Sequence, residues 1–315
     1  MKKREWYGKD TGLTARMILT TGLLAVVYLA FLTALFVFLN PGVTVLVGIA
    51  AVFLFAQFYF ADKLVLWSTG AKIVSPQEQP ELHTLVERLC NFADLPKPRV
   101  AVVKSAVPNA FATGRNQKNA VVAVTTGLLS SLNASELEAV LGHELTHIKN
   151  RDVLVITVAS FLSTVAWFVM RFSLYSSMFG GIGGGGGGGG GGRDRNAAGA
   201  TVVILVVSVL VWLVSFLLIR ALSRYREFAA DRGSAIITGN PPAMISALSK
   251  ISGAMKRVPS RDLREVEGMN AFFIIPALSS GSIMNLFSTH PPIEKRIEKL
   301  RELERGLEGF GLEGF

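Results

Sequence analysis

The chain has 315 residues, half of them hydrophobic and only 17% charged, which is too apolar for an ordinary soluble enzyme, where roughly a quarter of residues carry charge. Its net charge of +9 has two possible origins, contact with nucleic acid or basic flanks that hold helices against an anionic leaflet. Lys2, Lys3, Arg4, Lys9, Arg16, Arg220, Arg224 and Arg226 border apolar runs, so the charge argues for a lipid bilayer and against nucleic acid.

Residues 17–39 form an uncharged apolar run long enough to span a bilayer, and Asn40-Pro41-Gly42 ends it in a turn. A second run follows at once over 43–60, so the reading is a transmembrane hairpin over 1–60 and not a cleaved signal peptide. Its connection carries no Lys or Arg, which predicts that both ends face the cytoplasm. Residues 61–152 have the composition of a water-exposed domain. A helix is predicted from Pro80 to Ala93, with Leu82, Leu85, Val86 and Leu89 on one face. Cys90 sits on that stripe and reads as a packed core thiol; as the only cysteine, it excludes an intrachain disulfide. Arg99–Lys104 and Ala120–Thr125 are short β-branched runs, and the polar turn Arg115–Asn119 makes 110–125 a hairpin. Asn133-x-x-Glu136 opens a further helix as a capping box, with Leu137, Val140 and Leu141 on its buried side, and Asn150-Arg151-Asp152 ends it.

Two more apolar runs, 153–170 and 197–219, read as a second transmembrane hairpin over 153–219; a buried hairpin of the soluble domain is the alternative. Between them, 180–192 is glycine throughout except Ile182 and reads as a slack linker. Residues 220–305 form the second part of the soluble domain, beginning with a basic segment whose helical continuation breaks at Gly239-Asn240-Pro241-Pro242. A polar loop is predicted over 253–270. The run 271–287, interrupted by Pro276 and Gly281, reads as broken core or interfacial structure. Thr289-His290-Pro291-Pro292 opens a charged helix. The last ten residues, 306–315, repeat Gly-Leu-Glu-Gly-Phe and are predicted to be a flexible tail.

The chemistry concentrates in His143-Glu144-Leu145-Thr146-His147. Histidines at i and i+4 lie one turn apart on one helical face, so both imidazoles can reach a single ion. Glu144 stands beside the first, placed to take a proton from a water on that ion, as metallopeptidases require. A catalytic zinc needs a third protein ligand. His83 and His290 are available, and so are Glu227 and Asp231, which share a helical face. Glu227 is the better candidate, because two histidines and one carboxylate leave zinc partly neutralised while Asp231 could accept the second N–H of an imidazole. Spacing alone leaves this level with a helix face paired to Arg224, Arg226 or Arg232.

The segments His143-Glu-Leu-Thr-His147-Ile-Lys-Asn150, Glu227-Phe-Ala-Ala-Asp231 and Ser288-Thr-His290-Pro-Pro-Ile-Glu-Lys-Arg296-Ile resemble the HtpX-type membrane zinc metalloproteases, relatives of the CAAX prenyl proteases. The resemblance covers nearly the whole chain in order. It implies one Zn²⁺ per chain held by His143, His147 and Glu227, with Glu144 as catalytic base and Asp231 behind the ligands. It also implies a multi-pass protein of the plasma (inner) membrane with both termini and the active site cytoplasmic, acting on misfolded or damaged membrane proteins. The expected fold is a mainly α integral membrane protein of about four transmembrane helices, with a cytosolic zincin-like α+β domain containing a short β-hairpin or sheet. His290, with Arg296 behind it, is the candidate oxyanion donor, and Asn109–Thr113 the candidate edge for a substrate strand. Cleavage within the bilayer, processing of prenylated peptides and a structural zinc in a membrane scaffold are the rival readings. The amphipathic Asn133–Leu141 and the charged Lys149–Asp152 argue against the first, and the lack of cysteine ligands against the last.

Overall fold

The computed structural model describes residues 11–38, 48, 51–52, 55–56, 58–179, 193–255, 257 and 290–311. The second predicted span lies largely outside these residues. So do Lys2, Lys3, Arg4 and Lys9 before the first span, the glycine tract, most of the 253–270 loop, the interrupted run at 271–287 and the last four residues. The chain divides into two compact units: 1–14, 58–155 and 223–315 form one, and 15–57 and 156–222 the other.

Among the described residues, the first unit is built on a four-stranded mixed sheet of order β1-β2-β4-β3, from β1 (Lys72–Ile73), β2 (Arg99–Val103), β3 (Ala110–Thr113) and β4 (Val121–Thr125). The expected hairpin is present: β3 and β4 pair antiparallel, Ala110 opposite Val124 and Thr113 opposite Val121. β2 joins β4 from the other side in parallel register, Arg99 opposite Val121 and Val103 opposite Thr125. This leaves β4 central and β3 at an edge. All five residues of β4 are buried, because both faces of the sheet are covered. Val100, Val122 and Val124 face the helical core, while Ala101, Val103, Phe111, Val121 and Ala123 pack with Val65 of α2 (Ala61–Thr69).

Helix α3 (Pro80–Ala93) spans the predicted residues, with proline in its first turn and Leu82, Val86, Leu89, Cys90 and Ala93 buried along one stripe. Burial pushes the Cys90 thiol up to about 11, which suits a packed thiol and not a nucleophile. Short α4 (Thr126–Ser131) is capped by the Thr125 side chain, and Gly127 passes so close to the Ala106 carbonyl that a Cβ would collide with it. Helix α5 (Ala134–Lys149) opens with the expected capping box: Glu136 N donates to Asn133 Oδ1 at 2.9 Å, and Asn133 N donates to Glu136 Oε2 at 2.9 Å. Glu136 also accepts from Ser246 (2.7 Å) and Lys250 (2.8 Å) on α8 (Pro241–Met255), so the start of α5 is bound to that helix. Helix α9 (Ile293–Gly311) continues into the stretch predicted as a loose tail, and only 312–315 lie beyond the described residues.

In the second unit, α1 (Thr11–Phe38) and the inner lengths of α6 (Asp152–Phe179) and α7 (Arg193–Thr238) pack through Phe31, Val165, Ala166, Val169 and Val211. Outward, they present Ile18, Leu19, Leu23, Val26 and Leu29 on α1 and Val202, Val206, Leu210 and Leu213 on α7. A surface this apolar is solvated by acyl chains and not by water. Among the described residues, two helices are long and apolar enough to cross a bilayer, within Thr11–Phe31 and Val202–Thr238.

Candidate metal centre

Two helices make the site, and small residues let them meet. Along α7, Glu227, Asp231, Ser234 and Thr238 recur at helical spacing on one face, which crosses the Ala139–Thr146 stretch of α5. Ser234 Oγ donates to the Ala139 carbonyl at 2.5 Å. A Cβ on Gly142 would stand 3.2 Å from Ser234 Oγ, and one on Gly233 would collide with the Thr146 side chain. The Thr146 hydroxyl meanwhile donates to the Gly142 carbonyl at 2.8 Å. Close approach of the two backbones brings carboxylates from residues 227 and 231 against imidazoles from 143 and 147.

The His143 and His147 Nε2 atoms are 3.1 Å apart, and Glu227 presents Oε2 to the first at 3.6 Å and Oε1 to the second at 3.5 Å. Donor atoms of a tetrahedral zinc at bond lengths of about 2.0–2.1 Å stand about 3.3 Å apart, so this triangle has the right size. The Nδ1 atoms point away, each to its own carboxylate: His143 to Asp231 Oδ1 at 2.9 Å, His147 to Asp152 Oδ2 at 2.6 Å. A proton on each Nδ1 leaves both Nε2 lone pairs facing Glu227, the tautomer a metal ligand needs. Burial works against charging His143, yet hydrogen bonds to Asp231 and Glu227 hold its pKa above the ordinary imidazole value. For His147 burial is likewise outweighed, by Glu227 and Glu144. A field that favours imidazolium over neutral imidazole in a buried place favours a metal cation there too. The residues present fit a zinc ion.

Two arginines neutralise the surrounding carboxylates. Arg296, 1% exposed, grips Asp231 through Nε at 2.8 Å and Nη2 at 2.6 Å, and its Nη1 is 3.3 Å from Glu227 Oε2. Arg226 pairs with Asp152 and donates to the Asn150 carbonyl at 3.3 Å, tying α7 to the C-terminal end of α5. His290 is buried with Nδ1 3.1 Å from Glu227 Oε2. Glu144 is buried within electrostatic reach of His147 and Arg296.

Of the residues singled out in the sequence, Glu144, His143, His147, Glu227, Asp231, His290 and Arg296 therefore converge. His83 does not: it is buried on α3 with Nε2 3.0 Å from the Val74 carbonyl. Asn109 is buried where β3 begins, and its backbone exchanges hydrogen bonds with Thr125. Sequence reasoning missed Asp152, and set Arg226 against Glu227 or Asp231 where the structure pairs it with Asp152. In the sequence Asp152 is no more than the polar end of a helix; Arg151, with φ of 56°, turns the chain so that Asp152 opens α6 beneath His147.

Comparison with known proteins gives a consistent result. The model of peptidase family M48 matches residues 76–304. A protein named Protease HtpX homolog from Moorella thermoacetica is 59% identical over 97% of this chain and 99% of its own. Protease HtpX homolog 2 from Methanosarcina mazei is 57% identical over 96% and 99%. The crystal structure of Ste24p from S. mikatae shares the fold, with a TM-score of 0.51 at 17% identity, over 92% of this chain and 67% of that one.

Proposed function

The chain belongs to peptidase family M48 and is a membrane metalloprotease acting on polypeptides, and on that footing we propose that it is a zinc endopeptidase whose ion is held by His143, His147 and Glu227. The observation that carries the proposal is the triangle of two Nε2 atoms and one carboxylate at 3.1–3.6 Å. When bound there, zinc supplies a Lewis acid that acidifies a water and polarises the scissile carbonyl. The chain's own residues do the rest. Glu144 takes the proton of the attacking water and hands it to the leaving amine. Asp231 and Asp152 keep the two imidazoles in the metal-binding tautomer, and Arg296 and Arg226 keep those carboxylates charged and in place. His290, beside Glu227, donates to the oxyanion as the tetrahedral centre forms. Edge strand β3 takes the substrate as an added strand.

The substrates proposed are misfolded or damaged membrane proteins, met at the cytoplasmic face of the plasma membrane by a protein of four spans. In support, the apolar helices of one unit bear exposed Ile, Leu and Val, while the unit holding His143 and Glu227 packs around a sheet. The test is to compare unsubstituted protein with Glu144→Gln, both zinc-loaded in detergent, on a denatured membrane protein. The variant should keep its zinc and lose turnover on the order of 10³-fold; turnover near that of the unsubstituted protein would remove Glu144 from the base role.

A further inference from the structure

A second concavity opens beside the ligand cluster and is not used by the chemistry above. It lies between the end of β3, with the turn behind it, and the break between α5 and α6. Thr113, Arg115, His147, Ile148, Arg151 and Val153 contribute to its wall, so one proposed zinc ligand forms part of it.

The turn that forms one wall is held firmly. Gly114 has φ of 127°, and a Cβ there would meet the Asn119 carbonyl oxygen at 2.5 Å. Asn116 Oδ1 accepts from Asn119 N at 2.9 Å, and Gln117 Nε2 donates to the Lys149 carbonyl at 3.1 Å, tying the turn to the end of α5. The Arg115 guanidinium lies 4.3 Å from the centre of the Tyr59 ring. Arg115 and Arg151 have no carboxylate partner among the described residues. The acidic group in the wall, Asp152, is already engaged by Arg226 and His147. Arg115 and Arg151 thus share a wall with Ala112, Ile148 and Val153.

We infer that this concavity is a specificity subsite that takes a carboxylate of the substrate, a glutamate side chain above all, on the His147 side of the scissile bond. Apolar walls accept the methylenes while Arg115 and Arg151 pair with the charge. β3 guides an added strand towards it, since Ala112 and Thr113 belong to both the edge strand and the wall. The inference rests on the proposed metal site and adds a substrate preference to it.

The test uses full-length, zinc-loaded Glu144→Gln protein, which reads binding without turnover, and fluorescent peptides carrying Glu, Gln or Lys at each position in turn. At one position Glu should bind on the order of tenfold more tightly than Gln. Arg115→Gln and Arg151→Gln should each remove most of that ratio, Arg115→Lys should keep part of it, and Arg115→Glu should turn it towards Lys. Peptides with a free or an amidated C-terminus identify the source: a preference that amidation abolishes assigns the subsite to the terminal carboxylate. Equal binding of Glu and Gln peptides at every position would overturn the inference, as would a preference that survives both Gln variants. A loss confined to binding of phosphatidylglycerol vesicles would also overturn it, marking a lipid headgroup site. Zinc content and melting temperature are read in the same samples, so failure of the metal site or of the fold is seen apart from failure of the subsite.

Discussion

Asp152 and Asp231 stand behind the two imidazoles, and each is held by an arginine from another part of the chain. A ligand imidazole whose second nitrogen is unpaired can rotate or change tautomer, which weakens the metal it holds. Asp231→Asn is therefore expected to lower zinc affinity about 10- to 100-fold, and Asp152→Asn to do the same, as read by competition with a chelator. Unchanged affinity in either would mean that packing alone orients the rings. The two residues also show what a sequence can reveal. Asp231 was visible because it shares a helical face with Glu227. Asp152 stands five residues from His147 across a break between helices, and only the left-handed backbone at Arg151 brings it round. A polar junction followed by aspartate in the first turn of the next helix was the available signal.

At the scale of elements, the crossing of α5 and α7 decides whether the proposed ligands, separated by some eighty residues of sequence, can meet. Gly233→Ala would set a methyl group against Thr146 and is expected to cost about 1–3 kcal/mol, through overpacking, and to reduce zinc occupancy with it. Full occupancy with an unchanged melting temperature would show that the helices can move apart without harming the site. The start of α5 makes a pH-dependent contribution. Although burial raises it, the Glu136 pKa is held below its usual value of 4.5 by hydrogen bonds from Lys250, Ser246 and the Asn133 backbone. A depressed carboxylate pKa means that the folded state gains stability above 4.5 and loses it as pH falls through the lower, folded value. Glu136→Gln should therefore melt below the unsubstituted protein at pH 6, and the difference should shrink towards pH 3; a constant difference would contradict the assignment. Helices α3 and α5 were legible because proline or a capping box marks their starts and an apolar stripe runs along each. α2, β1 and α4 were not, since none is long enough to display a period. The parallel pairing of β2 with β4 is a long-range contact that no local pattern encodes.

For the whole molecule, the division into two units follows the hydropathy of the chain, which alternates between apolar runs and mixed segments. Composition made the membrane character plain, and the motif pair pointed to the chemistry, but neither could show how two distant helices would meet. A reporter fused after Phe315 should report the cytoplasm and one placed within 180–192 the outside; the reverse pattern would invert the proposed topology. Everything proposed for the reaction depends on one ion shared by α5 and α7. Zinc content per chain, measured by mass spectrometry on purified unsubstituted and Glu227→Ala protein, tests this. The expected result is one zinc per chain in the first and at least a tenfold lower occupancy in the second; a Glu227→Ala protein that retains one zinc per chain would contradict it.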